Sequence, residues 1–307
     1  MKIAALDVGT NTVLMLIAES APDGTVRTLA DLSRITRMGQ GVDKNHRLDP
    51  QAAARTLEAI TDFVAEAHAR GVDKIVSAAT AALRDASDGD QFVARVRKAG
   101  VELDLISGET EAWLSYLAVT RGLPIDPSSK LLIIDIGGGS TEFIRAEPGA
   151  KLEMASLQIG SVRMTERIIR SDPPSAHDAA ELRVAIDHAI KALGWNYHPD
   201  RMVAIAGTAT TVCAVALEMQ TYDRERIHGC KLARTEVERV IGKLGSLPLA
   251  ERRTLPGMEP GRADVIFAGA AILERVMCEF ECDSVIVSDQ GVRWGLVWRE
   301  LGAQKPA

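Results

Sequence analysis

The sequence predicts a mixed α/β fold built in two parts, and three observations point to it. The chain has 307 residues, which suggests two domains at about 150 residues each. Apolar, strand-like runs alternate with amphipathic segments of helical period along the chain, a pattern typical of sheets covered by helices. An Asp-x-Gly turn follows an apolar run near the beginning and recurs 128 residues later (135 − 7), so a related unit opens each half.

The first half begins with a predicted hairpin. Two apolar runs, Ile3 to Leu6 and Val13 to Ala18, flank a polar turn that contains glycine and asparagine. The elements after the hairpin are predicted from the spacing of apolar residues and from residues that begin or end helices, such as Asp49, Pro50 and Gly71. These are a strand at Thr25–Ser33, a helix from Pro50 to Gly71, a strand at Lys74–Ala79, a helix at Asp90–Lys98, a strand at Val101–Ile106 and a helix at Glu109–Arg121.

The second half follows a predicted linker, Leu123 to Ser129, which is rich in proline and serine. The same reasoning gives its elements in order. They are strands at Leu131–Ile134 and Phe143–Ile144, a strand at Glu153–Gln158, a helix from Ser161, a helix at Ser175–Leu193, a strand at Met202–Ala206 with a helix after it, helices at Thr235–Leu244 and Arg262–Phe280, a strand at Ser284–Val287 and a helix at Gly291–Leu301.

Composition excludes several classes of function. Acidic residues outnumber basic ones by 42 to 36, the net charge is −6, and only 4% of the residues are aromatic. We therefore expect neither nucleic acid nor an anionic membrane surface as a partner. No apolar run approaches about 18 residues, so no membrane span is expected. The strand-like start, without a signal peptide, predicts a cytoplasmic protein.

Three glycine-rich turns follow apolar strands, at residues 7–12, 135–142 and 207–211. Exposed backbone N–H groups and short hydroxyls in such turns form concavities that suit phosphate oxygens. Asp7 and Asp135 stand at the same place in two of the turns, where a hard cation could bridge carboxylate and phosphate. A single turn of this kind is weak support, but the repetition favours phosphate binding.

Neither the P-loop motif nor the dinucleotide fingerprint Gly-x-Gly-x-x-Gly occurs in the chain. The pattern instead indicates two phosphate-binding hairpins, one from each half. This arrangement is found in the ribonuclease-H-like, actin-like superfamily of sugar kinases and chaperone ATPases. We therefore expect two actin-like α/β domains with an interdomain cleft.

Motifs along almost the whole chain resemble one family, the exopolyphosphatase and guanosine pentaphosphate phosphohydrolase (Ppx/GppA) family, in its short two-domain form. The similar segments are 7–12 (DVGTNT), 79–86 (ATAALRDA), 106–112 (ISGETEA), 134–142 (IDIGGGSTE), 156–167 (SLQIGSVRMTER), 206–211 (AGTATT), 227–229 (IHG) and 287–293 (VSDQGVR). The resemblance implies an actin-like domain at 1–124 and another at 125–307, with the last helix packed on the first domain.

The resemblance also implies a reaction: hydrolysis of a terminal phosphoanhydride with release of orthophosphate. Glu111 maps onto the family's catalytic glutamate and is the expected general base. Asp135 and Glu142 are expected to position water and to bind Mg²⁺, with Asp7 as a further metal ligand and other divalent cations as alternatives. Without the motif, Glu109 and Glu111 would simply be acidic residues that favour a helix N-terminus.

Phosphate is expected to be bound by backbone and hydroxyl donors of the turns and by one arginine. Arg84 is the leading clamp, because a guanidinium matches phosphate oxygens in a bidentate way. The other predicted phosphate-binding residues are Gly9, Thr10, Asn11, Gly138, Gly139, Ser140, Thr141, Gly207 and Thr208. Weaker candidates are Arg163, His228, Lys231, Arg262 and Arg293.

We expect a Mg²⁺-dependent exopolyphosphatase that acts on linear polyphosphate and, from the family, forms a homodimer. Three alternatives stay open: a phosphohydrolase of guanosine pentaphosphate, a sugar or acid kinase of the same superfamily, and a nucleotide sensor that binds without hydrolysis. A net-acidic protein that binds a polyanion must gather its cationic groups at the site, so we also expect an unevenly charged surface.

Overall fold

A computed structural model describes residues 1–21 and 24–302. In this part of the chain the strands form two sheets, of four and six strands. The strands are β1 (Lys2–Val8), β2 (Thr12–Ser20), β3 (Val26–Ile35), β4 (Lys74–Ala79), β5 (Leu131–Ile136), β6 (Thr141–Ala146), β7 (Glu153–Leu157), β8 (Arg201–Ile205), β9 (Cys230–Ala233) and β10 (Ser284–Val287).

Helices fill most of the chain between the strands. They are α1 (Val42–Asn45), α2 (Pro50–Ala69), α3 (Ala81–Asp85), α4 (Gly89–Lys98), α5 (Gly108–Gly122), α6 (Ser161–Ile168), α7 (Ala176–Lys191), α8 (Ala206–Ala216), α9 (Arg224–Ile227), α10 (Arg234–Ser246), α11 (Leu249–Arg252), α12 (Ile266–Glu279) and α13 (Val292–Glu300). A short 3₁₀ turn lies at Pro260–Arg262.

The described residues group into two compact units. The first unit consists of Met1–Ala118 together with residues 292–302, and the second consists of Val119–Gly291. The domain limits expected from the sequence, 1–124 and 125–307, stay a prediction.

The first unit contains the four-stranded sheet, in the order β3-β2-β1-β4. Its core is aliphatic and includes Leu6 and Val13 from the hairpin and Ile60 from α2. Helix α2 begins as predicted, because the Asp49 carboxylate accepts the Ala52 N–H at 2.8 Å and Pro50 occupies the first turn. Helix α13 packs against β1, β2 and β4.

The second unit contains the six-stranded sheet, in the order β7-β6-β5-β8-β10-β9. Its core packs sheet residues such as Ile134 and Phe143 against helices α7, α8, α10 and α12. Helix α7 begins with a reciprocal capping box between Ser175 and Asp178.

The two sheets contain the same hairpin in the same register. In the first, Asp7 lies opposite Leu14, and in the second Asp135 lies opposite Glu142. Both pairs are related by the 128-residue offset seen in the sequence. The first strand of each hairpin also pairs in parallel with a later strand, β4 in one unit and β8 in the other. The repeat predicted from the turns therefore extends to the strand pairing.

The structure corrects one predicted strand, at Val101–Ile106. These residues form only a single bridge, between Leu105 and Ala79. The Ser77 hydroxyl donates to the Glu102 carbonyl at 2.5 Å and accepts the Asp104 N–H at 3.3 Å. One side chain thus satisfies backbone groups that a strand would pair in a ladder. Strand β9, four residues at the edge of its sheet, was not predicted.

No helix among residues 1–21 and 24–302 is long and apolar enough to cross a membrane.

Candidate functional site

In the first unit, parallel pairing brings two predicted segments to one edge of the sheet. Val8 at the end of β1 pairs with Ala79 at the end of β4, and the Thr80 N–H donates to the Val8 carbonyl at 3.3 Å. The turn at residues 9–11 and helix α3, which contains Arg84, therefore start side by side. Ligands of open α/β sheets characteristically bind at this carboxyl edge of the strands.

The turn of the first unit is held by its carbonyl groups. The Thr10 carbonyl accepts the Gly39 N–H at 2.7 Å, and the Asn11 carbonyl accepts the N–H groups of Thr36 and Arg37, both at 3.0 Å. Because a trans peptide points its C=O and N–H in opposite directions, the Asn11 N–H faces away from this bracing segment. The Asn11 side-chain nitrogen is buried and has no hydrogen-bond partner within the described residues, so it too is a candidate donor to a ligand.

The glycine turn of the second unit is held in the same way, but more completely. The Gly137 carbonyl accepts the Ser161 N–H at 2.9 Å, and the Gly138 carbonyl accepts the Val162 and Arg163 N–H groups at 2.9 and 3.0 Å. The side chain of Arg163 donates through Nε to the Gly139 carbonyl at 2.7 Å.

Three consecutive carbonyls thus point toward the start of α6. By the same peptide geometry, the N–H groups of Gly138, Gly139 and Ser140 point to the opposite side. A row of backbone N–H groups facing one side is an anion-binding concavity. Gly160 allows the close packing behind it, since a Cβ there would lie 2.4 Å from the Gly138 oxygen.

Two buried carboxylates flank this turn. Asp135 and Glu142, which are 6% and 0% exposed, are directly opposite each other on β5 and β6 and project from the same face of the sheet. The Ser156 hydroxyl donates to Glu142 Oε1 at 2.7 Å and fixes its orientation. At the equivalent place in the first unit, Asp7 faces Leu14, so a carboxylate pair occurs only in the second hairpin.

Thr141 differs from the other predicted phosphate-binding residues of this turn. It is fully buried in β6, and its hydroxyl donates to the Ile159 carbonyl at 2.5 Å. That hydroxyl is therefore committed to anchoring the turn.

The predicted base and the predicted clamp, Glu111 and Arg84, lie in direct contact in the first unit. Arg84 Nη1 donates to Glu111 Oε2 at 3.0 Å and to the Ile106 carbonyl at 2.8 Å. Glu111 is 8% exposed, whereas the neighbouring Glu109 is exposed. A guanidinium has five N–H donors, so Arg84 can orient Glu111 and still bind an anion.

The third glycine segment begins helix α8 in the second unit. A Cβ on Gly207 would lie 2.2 Å from Arg262 Cζ, so the Arg262 guanidinium covers the first turn of this helix. Burial lowers the pKa of Arg262. Thr208 is buried, and Ala206 has φ +67°, a left-handed conformation that costs a non-glycine residue about 1–2 kcal/mol. Backbone strain of this kind concentrates at functional sites.

His228, one of the weaker predicted candidates, belongs to a second polar cluster in this unit, beyond strand β10, whose other members the sequence did not predict. His228 Nδ1 lies 3.0 Å from Asp289 Oδ1, and its Nε2 lies 3.0 Å from the Gly122 carbonyl. Asp289 also pairs with Arg224. Both imidazole nitrogens face acceptors, and the hydrogen bond to Asp289 raises the pKa of His228. The sequence showed only the motifs IHG and VSDQGVR, which are about 60 residues apart.

Two of the weaker arginine candidates make hydrogen bonds within the protein. Arg163 braces the glycine turn. Arg293 makes a bidentate ion pair with Asp31, at 3.0 and 2.9 Å, which ties α13 to β3 within the first unit. Lys231 is exposed on the edge strand β9.

Each unit therefore brings together its own set of predicted residues. The first gathers Gly9, Thr10 and Asn11 at the same edge as Arg84 and Glu111. The second gathers Gly138, Gly139 and Ser140 with Asp135 and Glu142, and Gly207 follows the neighbouring parallel strand β8.

Comparison with known proteins identifies the family. The profile of the Ppx/GppA phosphatase family matches residues 16–304. The chain belongs to this family. Exopolyphosphatase 2 of Mycobacterium tuberculosis is 32% identical over 312 residues, which cover 96% of this chain and 97% of the relative.

Solved structures give the same result for this Ppx/GppA phosphatase. A family member from Aquifex aeolicus is 29% identical with a TM-score of 0.83, and the match covers 98% of this chain and 97% of the other. An exopolyphosphatase from Cytophaga hutchinsonii, 24% identical, has the same fold, with a TM-score of 0.91 and complete coverage of both chains. The predicted family, the two-domain actin-like fold and the class of enzyme, a phosphoanhydride hydrolase, are confirmed.

We expect His228 to make the stability of this phosphatase dependent on pH. Its pKa is raised in the folded state relative to about 6.5 in the unfolded chain, so its stabilising effect is complete below pH 6.5. Between the two pKa values the folded state binds more protons, and the free energy of unfolding falls as the pH rises through the raised value. Thermal unfolding midpoints at pH 6 and pH 9 should differ more for the wild type than for His228→Gln. Equal differences would show that the imidazolium does not stabilise the fold.

Proposed function

We propose that this protein is an exopolyphosphatase, which hydrolyses the terminal phosphoanhydride of inorganic polyphosphate and releases orthophosphate. The observation that carries the proposal is the row of N–H groups at Gly138, Gly139 and Ser140, flanked by the buried carboxylates Asp135 and Glu142. Such a row suits phosphate oxygens. The similarity to exopolyphosphatase 2 of Mycobacterium tuberculosis over almost the full length of both chains supports the choice of substrate.

The donor set fits Mg²⁺. Described residues contain no cluster of three or more His, Cys, Asp or Glu side chains arranged to hold a metal ion. Mg²⁺, however, is commonly held by one or two carboxylates together with substrate phosphates and water. Asp135 and Glu142 provide two such carboxylates on facing strands. When bound, the ion would neutralise charge on the phosphate oxygens.

Glu111 is the proposed general base. In the proposed reaction its carboxylate takes a proton from the attacking water, while a bond forms from the water oxygen to the terminal phosphorus. The bond from that phosphorus to the bridging oxygen breaks, and the shortened chain keeps this oxygen. The hydrogen bond from Arg84 Nη1 holds the carboxylate in one orientation. Within the second unit, the N–H donors of the glycine turn suit the charge that develops on phosphoryl oxygens.

Orthophosphate release from polyphosphate tests this proposal. With Mg²⁺ present, the wild type should release orthophosphate, and Glu111→Gln should be about 10²- to 10⁴-fold slower because general base catalysis is lost. Glu109→Gln is the matched control, because Glu109 lies in the same helical turn but is exposed. Equal rates for wild type and Glu111→Gln would remove Glu111 from the mechanism. No release by the wild type would overturn the proposed function.

Guanosine pentaphosphate is the second candidate substrate, because the Ppx/GppA family is named for guanosine pentaphosphate phosphohydrolases as well as for exopolyphosphatases. Removal of its 5′-terminal phosphate is the same reaction. With both substrates at equal concentration, an excess of guanosine tetraphosphate among the products would favour this alternative.

The proposed metal ligands give a separate prediction. Asp135→Asn and Glu142→Gln should each raise the Mg²⁺ concentration that half-saturates phosphate release, by about tenfold or more, because one of two anionic oxygen ligands becomes a neutral amide. Calorimetric titration with Mg²⁺ in the presence of inorganic phosphate measures the same loss without turnover. Glu147→Gln is the control, because Glu147 pairs with Arg145 near the surface. An unchanged Mg²⁺ requirement in both carboxylate variants would refute this assignment.

A further inference from the structure

We propose that Arg163 is a positioning residue for phosphate binding: it fixes the peptide between Gly139 and Ser140 through the Gly139 carbonyl, so that the Ser140 N–H faces the bound phosphate. The inference rests on the proposed function, because it assigns a task to a residue behind the phosphate-binding turn. The contact that suggests it is the 2.7 Å hydrogen bond from Arg163 Nε to the Gly139 oxygen.

The repeated hairpin provides an internal comparison. By the 128-residue offset, Asn11 in the first unit corresponds to Gly139 in the second. The Asn11 carbonyl is held by two backbone N–H groups, from Thr36 and Arg37. The bracing segment of the second unit gives its backbone donors to Gly137 and Gly138 instead. The third carbonyl is thus bound by the Arg163 side chain, which replaces the backbone donors of the first unit.

The peptide after Gly139 needs such a restraint. Residues 137–139 are all glycine, and a glycine backbone reaches many conformations at little cost. A peptide that rotated by half a turn would present its carbonyl oxygen to the phosphate in place of the Ser140 N–H. Holding the Gly139 oxygen prevents that rotation, because the two groups of a planar trans peptide are rigidly opposed.

The surroundings of Arg163 suit this task. It lies in the first turn of α6, whose backbone N–H groups already bind the preceding carbonyls, so its Cα is fixed relative to the turn. Only 8% of the residue is exposed. Because Arg163 Nε donates to the Gly139 carbonyl, this nitrogen lies behind the turn, on the side opposite the row of N–H groups.

Three substitutions separate positioning from direct contact with phosphate. The amide nitrogen of Gln occupies the place of arginine Nε along the side chain, so Arg163→Gln keeps an N–H donor and removes the charge. Arg163→Lys keeps the charge and moves the donor, and Arg163→Met removes both. The measurements are the affinity for inorganic phosphate by calorimetry, and kcat and KM for polyphosphate.

If Arg163 positions the turn, Arg163→Met should weaken phosphate binding and lower kcat/KM by about tenfold or more. A loss of this size corresponds to losing one hydrogen bond to a charged group. Arg163→Gln should stay within about threefold of the wild type. The folding control is Arg252→Met, because Arg252 is also a buried arginine of the second unit that donates to a carbonyl, that of Ala263. This control should lower the unfolding midpoint and leave phosphate affinity within twofold.

Several results would overturn the inference. One is unchanged phosphate affinity in Arg163→Met, and another is an equal loss in Arg252→Met. A third is a loss in Arg163→Gln with retention in Arg163→Lys, which would mean that the charge itself contacts phosphate. If Arg163→Met does not fold, the comparison of Gln with Lys decides. A wild type that binds phosphate but cleaves no polyphosphate would refute the proposed function alone, because the binding series still tests Arg163.

Discussion

The candidate site depends on the rigidity of the trans peptide. A row of N–H groups can face a ligand only when the carbonyls of the same peptides are bound on the other side. In the second unit, the N-terminal turn of α6 binds these carbonyls, and Gly160 lets the two segments approach closely enough. The hairpin register and the parallel pairing of β5 with β8 then place this turn at an edge with Asp135 and Gly207. If the carbonyls were released, the peptides could rotate and their N–H groups would no longer be held facing one side.

The two hairpins have the same strand register but differ in their side chains. Both use a residue of the following segment, Gly39 or Val162, to bind the carbonyl at the equivalent position of the turn. The second hairpin adds a carboxylate pair, whereas the first has Leu14 where the second has Glu142. The first hairpin keeps only Asp7, and the other predicted acid of this unit, Glu111, comes from outside the hairpin with Arg84 beside it. The two units thus contain similar turns, and different side chains surround each turn.

Local sequence predicted much of this fold and some of the site. Strand Lys74–Ala79, the start of α2 at Asp49 and Pro50, and the repeated turn depend on residues close together in the chain, so their patterns were readable. The contact between Arg84 and Glu111 joins residues 27 apart. It depends on β4 and the start of α5 meeting at one edge of the sheet, which no local pattern encodes. Residues 101–106 look like a strand, but Ser77 from another element satisfies their backbone.

Functional tasks within the site were harder to predict than its location. A glycine-rich motif indicates that a turn binds phosphate, but not which partner holds its carbonyls. Arginine is a residue type that often binds phosphate, but the Arg163 side chain donates to the Gly139 carbonyl of the turn itself. The surroundings of His228 similarly required the folded chain, since Asp289 lies 61 residues away in sequence (289 − 228). Both cases involve a side chain whose partner is selected by packing.

The return of helix α13 to the first sheet has a consequence for the order in which the protein forms. The second unit is one continuous segment, Val119–Gly291, and the first needs residues 292–302 as well. During synthesis the chain emerges from its N-terminus, so the second unit can close while the first still lacks the helix that packs on β1, β2 and β4. The half that is translated first therefore cannot complete its packing until its last helix has been synthesised, and the ion pair between Arg293 and Asp31 can form only then.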